Sequence, residues 1–71
     1  MDYLATISQD GHTVLIEAFN ITSINLMQQI ALKDKEGIFY FVIISYEDGQ
    51  KEQTIISHET WEYWNQSRNN K

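Results

Sequence analysis

Residues 38–56 read IFYFVIISYEDGQKEQTII, an apolar run followed by a turn and a second strand-like segment. The turn contains Asp48-Gly49, a pair that suits a two-residue type I′ connection because both central positions need a positive φ. This segment therefore predicts a β-hairpin whose tip is Asp48-Gly49.

A two-residue loop would also set the register of this hairpin. The expected pairs are Tyr46–Lys51, Ser45–Glu52, Ile44–Gln53, Ile43–Thr54, Val42–Ile55 and Phe41–Ile56. Both faces of the strand over residues 38–46 are then apolar, which is typical of an interior strand with a covering layer on each side. We predict that this strand lies inside the sheet.

A second Asp-Gly pair, Asp10-Gly11, lies between two short alternating segments. The same turn type predicts an N-terminal hairpin with one apolar face. The expected pairs on that face are Gln9–His12, Ile7–Val14, Ala5–Ile16 and Tyr3–Ala18.

Residues 24–33 lie between the two hairpins. Their alternating apolar residues are Ile24, Leu26, Ile30 and Leu32. The alternation favours a strand, although several residues between them suit a helix, and the helical alternative stays open at this point. With a strand here, residues 34–37 form a third hairpin loop in which Gly37 supplies a positive φ.

The C-terminal segment is predicted to be a helix. Ser57 is a good N-cap, and Ile56 and Trp61 occupy the two positions of a hydrophobic staple. Trp61 and Trp64 share a helix face, and a helix of about twelve residues must dock to be stable. The sequence thus predicts one α+β domain over residues 1–71. We expect a small antiparallel β-meander of four or five strands followed by one C-terminal α-helix packed on one sheet face.

Composition narrows the class of protein. The chain has 71 residues, a net charge of −5 and no Cys, which excludes disulfides and thiolate metal sites. The start at Met1 lacks the basic and apolar regions of a signal peptide, and the longest apolar run is far shorter than the roughly 20 residues of a membrane span. We therefore expect a cytoplasmic protein without a membrane segment.

Catalytic and metal sites are not expected, and no cofactor is predicted. Ser57-His58-Glu59 are neighbours at a helix start, where successive side chains diverge, and the capping role explains Ser57 without chemistry. His58 and Glu62 share a helix face, but a metal site normally needs three or four ligands and only His12 could add an imidazole. The sequence favours a protein that is not an enzyme.

Acidic residues suggest a binding surface instead. Between residues 47 and 62 there are five acids, Glu47, Asp48, Glu52, Glu59 and Glu62, and a single base. Such a patch can dock on a basic protein surface. The first hypothesis is therefore a small protein-binding or regulatory protein, such as an inhibitor from a phage or other mobile element, with a protein partner of unknown identity. A solvated, solubilising surface is the plainer interpretation of the same residues.

Apolar surface exceeds what one helix can cover. A second copy could cover the other sheet face, and the expected homodimer contact is Phe39, Phe41 and Ile43. The competing interpretation is a sheet that curls on itself into a small half-barrel. The second functional hypothesis is a nucleic-acid-binding module that uses aromatic residues of the sheet, but the scattered bases and negative charge make nucleic acid an unfavourable partner.

Overall fold

The computed structural model describes residues 3–8 and 10–69; for residues 68 and 69 it describes the backbone only. Its elements are β1 (Tyr3–Ile7), β2 (Thr13–Glu17), a 3₁₀ turn (Ala18–Asn20), β3 (Ile21–Ile30), β4 (Phe39–Tyr46), β5 (Lys51–Ser57) and α1 (His58–Asn69). All five strands belong to one antiparallel sheet, on which α1 packs. The predicted α+β fold is confirmed.

The sheet is curled. Its strand order is β2-β1-β5-β4-β3, so β2 and β3 are the two edges. In a flat sheet these edges would lie about 19 Å apart. The chain joins them through the 3₁₀ turn alone, and Glu17 and Ile21 are separated by four Cα steps, which span at most about 14 Å. The edges must therefore approach one another at this end, which is the half-barrel arrangement.

Both predicted hairpins are present, but both predicted registers are wrong by one residue. In the β4–β5 hairpin Phe41 lies opposite Ile55 and Val42 opposite Thr54. In the β1–β2 hairpin Ile7 lies opposite Thr13 and Leu4 opposite Ile16. The predicted Gln9–His12 pair involves a residue outside the described part of the chain, and Ala18 belongs to the 3₁₀ turn.

Loop length is the cause of both register differences. The Ser8 N–H donates to the His12 carbonyl (2.8 Å), and the Tyr46 N–H donates to the Gln50 carbonyl (2.9 Å), so each loop has three positions. Gly11 and Gly49 have positive φ angles of +90° and +91°, and no described non-glycine residue has a positive φ. The β4–β5 loop is thus a type I turn with a glycine bulge, which uses an Asp-Gly pair as readily as a type I′ turn does.

The segment after the 3₁₀ turn is a strand, and the helical alternative is wrong. β3 begins earlier than expected, at Ile21, and pairs with β4 through two register shifts, one between Ile21 and Ser23 and one between Leu26 and Gln28. Gly37 has a φ of +103°, as predicted for the loop that follows.

The helix covers one face of the sheet, called here the inner face. The core between the helix and this face consists of the buried residues Leu4, Ile21, Ile24, Tyr40, Val42, Ile44, Ile56 and Trp64. Trp61 is half-buried against this cluster, with its ring centroid 5.9 Å from that of Tyr40. The predicted N-cap is confirmed, since the Thr60 N–H donates to Ser57 Oγ (3.1 Å).

The helix also completes the edge of β1. β1 and β5 pair only at Ile7 and Ile55, and beyond this point the two strands separate. There the Thr60 hydroxyl of α1 donates to the Ala5 carbonyl (3.3 Å). Docking of α1 therefore supplies both apolar cover and a hydrogen bond that a neighbouring strand would otherwise provide.

The opposite side of the sheet, the outer face, carries half-buried Ile7, Phe41, Ile43 and Ile55. The β3–β4 loop borders this face, because Leu32 of that loop lines one depression together with Ile7 and Ile55. The outer face is therefore shielded in part within a single chain.

Candidate protein-binding site

Three of the five predicted partner-binding residues form a cluster at the β4–β5 hairpin. Glu47 and Asp48 lie in the loop, and Glu52 follows on β5. All three side chains are exposed. We call them the hairpin acidic surface.

Backbone hydrogen bonds hold the hairpin acidic surface in place. The Gln50 N–H donates to Asp48 Oδ1 (3.0 Å), so the Asp48 carboxylate closes the turn. The Glu47 N–H donates to the Asn20 carbonyl (2.9 Å), which ties the loop to the 3₁₀ turn. The carboxylates are therefore presented from an ordered loop rather than a free tip.

Tyr46 reports the negative potential of this surface. Its hydroxyl donates to Glu52 Oε1 (2.7 Å). Burial raises the pKa of Tyr46 to about 12, together with the hydrogen bond to Glu52 and the charges of Glu52 and Asp48. Each cause disfavours a further negative charge at this point. The tyrosine and its acidic neighbours thus form one electrostatic unit.

The surface surrounds a shallow depression of about 460 Å³. Its lining residues are Asn20, Tyr46, Glu47, Asp48, Gln50 and Glu52. Lys51 lies opposite Ser45 on the other side of the sheet from Glu52, since neighbouring strand residues alternate. The lining therefore contains carboxylates, amides and a phenol but no cation.

The structure does not bring the other two predicted residues to this surface. Glu59 lies in the first turn of α1, which begins at the opposite end of β5, about 17 Å along the strand from Glu52. Glu62 contacts His58 of the same helix, with Oε2 and Nε2 separated by 3.8 Å. The single predicted patch is thus two acidic groups.

The three residues predicted to form a homodimer contact share the outer face, as their odd numbering implies. Phe39 is only 6% exposed within one chain, so it has little surface left to offer. Phe41 and Ile43 are half-buried. A contact between copies at Phe41 and Ile43 stays a prediction.

The residues considered for catalysis have structural partners. Ser57 caps α1, and the His58 Nδ1 and Tyr40 hydroxyl form a 2.9 Å hydrogen bond. His12 lies in the β1–β2 turn, 2.9 Å from the Asp10 carboxylate. His58, in contrast, is the first residue of α1. Hydrogen bonds from Ser8 and His12 lower the pKa of Asp10. Over residues 3–8 and 10–69 there is no cluster of three side chains suited to hold a metal ion.

The roles of Tyr46 and Asn20 in the acidic surface did not follow from the sequence pattern. The predicted register placed Glu52 opposite Ser45 and Tyr46 opposite Lys51, on opposite faces. The observed register places Glu52 on the same face as Tyr46, within reach of its hydroxyl. The correct loop length was the signal that would have revealed this contact.

In comparisons with known proteins, no family, no curated protein and no solved structure matches this chain. Within the described ranges, no helix has the length and apolar character needed to cross a bilayer.

Proposed function

We propose that this protein is a non-enzymatic binding or regulatory protein that docks its hairpin acidic surface on a basic patch of another protein. One observation carries the proposal: Glu47, Asp48 and Glu52 surround one depression on an ordered hairpin, next to a tyrosine whose pKa is raised to about 12 by burial, by Glu52 and by Asp48.

The physical basis is electrostatic complementarity. Opposite potentials steer two proteins together and orient them on contact, and the chain's net charge of −5 adds a long-range attraction to a basic partner. Because the hairpin is held by backbone hydrogen bonds, little ordering of the loop is required on binding. A basic protein surface therefore fits this site better than a small neutral ligand.

The source and the cellular location that we propose follow from the size and charge of the sequence. A small acidic protein of this kind suits an inhibitor from a phage or other mobile element, which would act in the cytoplasm by occupying a basic channel or patch on its target. A homodimer through Phe41 and Ile43 belongs to the same expectation.

The test compares two sets of charge-neutralising variants as bait for proteins from a host lysate. The first carries Glu47→Gln, Asp48→Asn and Glu52→Gln. The matched control carries Glu59→Gln and Glu62→Gln, which remove acids from the helix. We expect the first set to lose a partner that the wild type and the control retain. Binding should also weaken in about 1 M salt, where the screening length falls to about 3 Å.

Equal capture by both sets would overturn the proposal, as would capture that does not change with salt. Treatment of the lysate with nuclease separates the second hypothesis, because a nucleic-acid-binding module would lose every partner. Burial of the aromatic residues argues against nucleic-acid binding by the sheet. Phe39 and Tyr40 are buried, so they cannot form an open stacking platform on β4.

A further inference from the structure

The two edges of the sheet differ in how well they are guarded against pairing with another strand. β3 carries two register shifts, and such bulges bend an edge and hinder the addition of a further strand. β2 pairs with β1 without a shift from Thr13 to Glu17. The β2 edge is therefore the straighter of the two.

β2 is also where apolar exposure is greatest. Leu15 is 64% exposed and Val14 is 46% exposed, while Phe19, just beyond the strand, is 70% exposed. No charged side chain occurs from Thr13 to Ile16. Natural edge strands are commonly protected by charges, prolines or bulges, and the first four residues of β2 contain none of these.

Hydrogen-bond alternation identifies the free backbone groups of β2. The Ser8 N–H bonds to the His12 carbonyl, so Ser8–His12 is a hydrogen-bonded pair. Alternation along the antiparallel register makes Thr6–Val14 and Leu4–Ile16 the next such pairs. Thr13 and Leu15 then direct their N–H and C=O groups away from β1, toward the open edge, and so does the N–H of Glu17. The Glu17 C=O is the first acceptor of the 3₁₀ turn.

The geometry points to a second copy of this chain on the β2 edge, related by a two-fold axis through Leu15. In this antiparallel register Leu15 faces Leu15 of the second copy, and Thr13 faces Glu17 of the second copy. The N–H groups of Leu15 and Glu17 then bond to the C=O groups of Leu15 and Thr13 in the other copy, giving about four hydrogen bonds. The two sheets become one continuous sheet.

Side chains fit this register as well as the backbone does. Val14 pairs with Ile16 of the second copy on the inner face, and the two Leu15 side chains meet on the outer face. Glu17 lies opposite a threonine rather than another acid, so no like charges face each other, although the chain as a whole is negative. A self-complementary strand of this kind selects its own copy, because an isologous contact requires that each residue match its symmetry mate.

The size of the contact indicates a weak dimer. About four backbone bonds are fewer than the roughly ten hydrogen bonds of a typical interface. Val14, Leu15 and Phe19 provide the apolar surface to be buried. This contact lies on the sheet edge and is independent of both the hairpin acidic surface and the Phe41–Ile43 region.

The experiment measures solution mass by analytical ultracentrifugation over a concentration series. We expect the wild type to approach twice the 8.4 kDa chain mass at high concentration. Leu15→Glu should stay at the single-chain mass, because it places two carboxylates together on the axis. Leu26→Glu, a matched change on the β3 edge, should still dimerise. A monomeric wild type, or a dimeric Leu15→Glu variant, would overturn the inference.

Two further measurements separate a lost interface from a damaged fold. Mixing Leu15→Glu with Leu15→Lys should restore the double mass, since opposite charges then face each other across the axis; failure of this rescue contradicts the register. Amide exchange should slow at Leu15 and Glu17 on dimerisation, whereas Val14 and Ile16 are already bonded within one chain. Protection that does not depend on concentration also contradicts it.

Discussion

The Tyr46 hydroxyl donates a 2.7 Å hydrogen bond to Glu52 Oε1, across the hairpin from β4 to β5. This contact exists only because the loop has three residues rather than two. It joins the phenol, held partly in the core, to the exposed acidic surface. The pH behaviour of Tyr46 therefore depends first on its burial and then on that surface.

Tyr46 should make the protein less stable at high pH. Its pKa is about 12 in the folded chain, against about 10 for an unperturbed tyrosine. The folded state thus keeps a proton that the unfolded chain releases. The stabilisation is complete below about pH 10 and is lost as the pH rises to about 12. Denaturant unfolding across this range, compared with the same series for Tyr46→Phe, measures the effect.

Glu52→Gln should lower the pKa of Tyr46 toward its ordinary value without reaching it. The substitution removes the charge beside the phenol, while burial, the largest cause of the shift, remains. Absorbance titration of tyrosinate, with Tyr46 assigned by difference from Tyr46→Phe, checks this. An unchanged titration would mean that burial alone sets the pKa.

Gly49→Ala should destabilise the protein by about 1–2 kcal/mol. Gly49 has a φ of +91°, and an added Cβ meets no atom within 4 Å, so backbone strain is the only cost. Gly49→Asn is the matched control and should cost less, because asparagine tolerates the left-handed region better. Equal losses for both variants in urea unfolding would contradict this account of the loop.

Trp64→Ala should cost roughly 3–5 kcal/mol, a large part of the 5–15 kcal/mol typical of a domain. Trp64 belongs to the buried inner-face core, whereas the neighbouring Tyr63 is exposed. Tyr63→Ala should therefore have a much smaller effect. Thermal melting of the two variants shows whether α1 is an integral layer, and a small change for Trp64→Ala would contradict that.

Ile44→Glu should unfold the chain, while Ile43→Glu should leave it folded. Ile44 is fully buried on the inner face, and Ile43 is half-buried on the outer face. An unpaired carboxylate is costly only where water cannot reach it. Circular dichroism tests the fold. The mass of Ile43→Glu then distinguishes the two dimer surfaces, since a contact at Phe41 and Ile43 would be lost and one at β2 would remain.

The secondary-structure elements could be predicted from the sequence. The two Asp-Gly pairs marked the hairpins, Ser57 marked the helix start, and the apolar run at residues 38–44 marked the interior strand, because each depends on short-range geometry. Loop length was not readable, since an Asp-Gly pair serves a type I′ turn and a type I turn with a glycine bulge alike.

Long-range packing settled that choice and its consequences. A slip of one residue moves every side chain of a strand to the other face. The observed register brings Val14 and Ile16 to the same face as Leu4, and it brings Glu52 to Tyr46. The curl that joins β2 to β3 through the 3₁₀ turn likewise depends on one core cluster, which contains Leu4 and Ile24 and against which Ile16 packs, so that residues from three strands share it. Such contacts form only when the whole sheet closes around its core, so no local pattern encodes them.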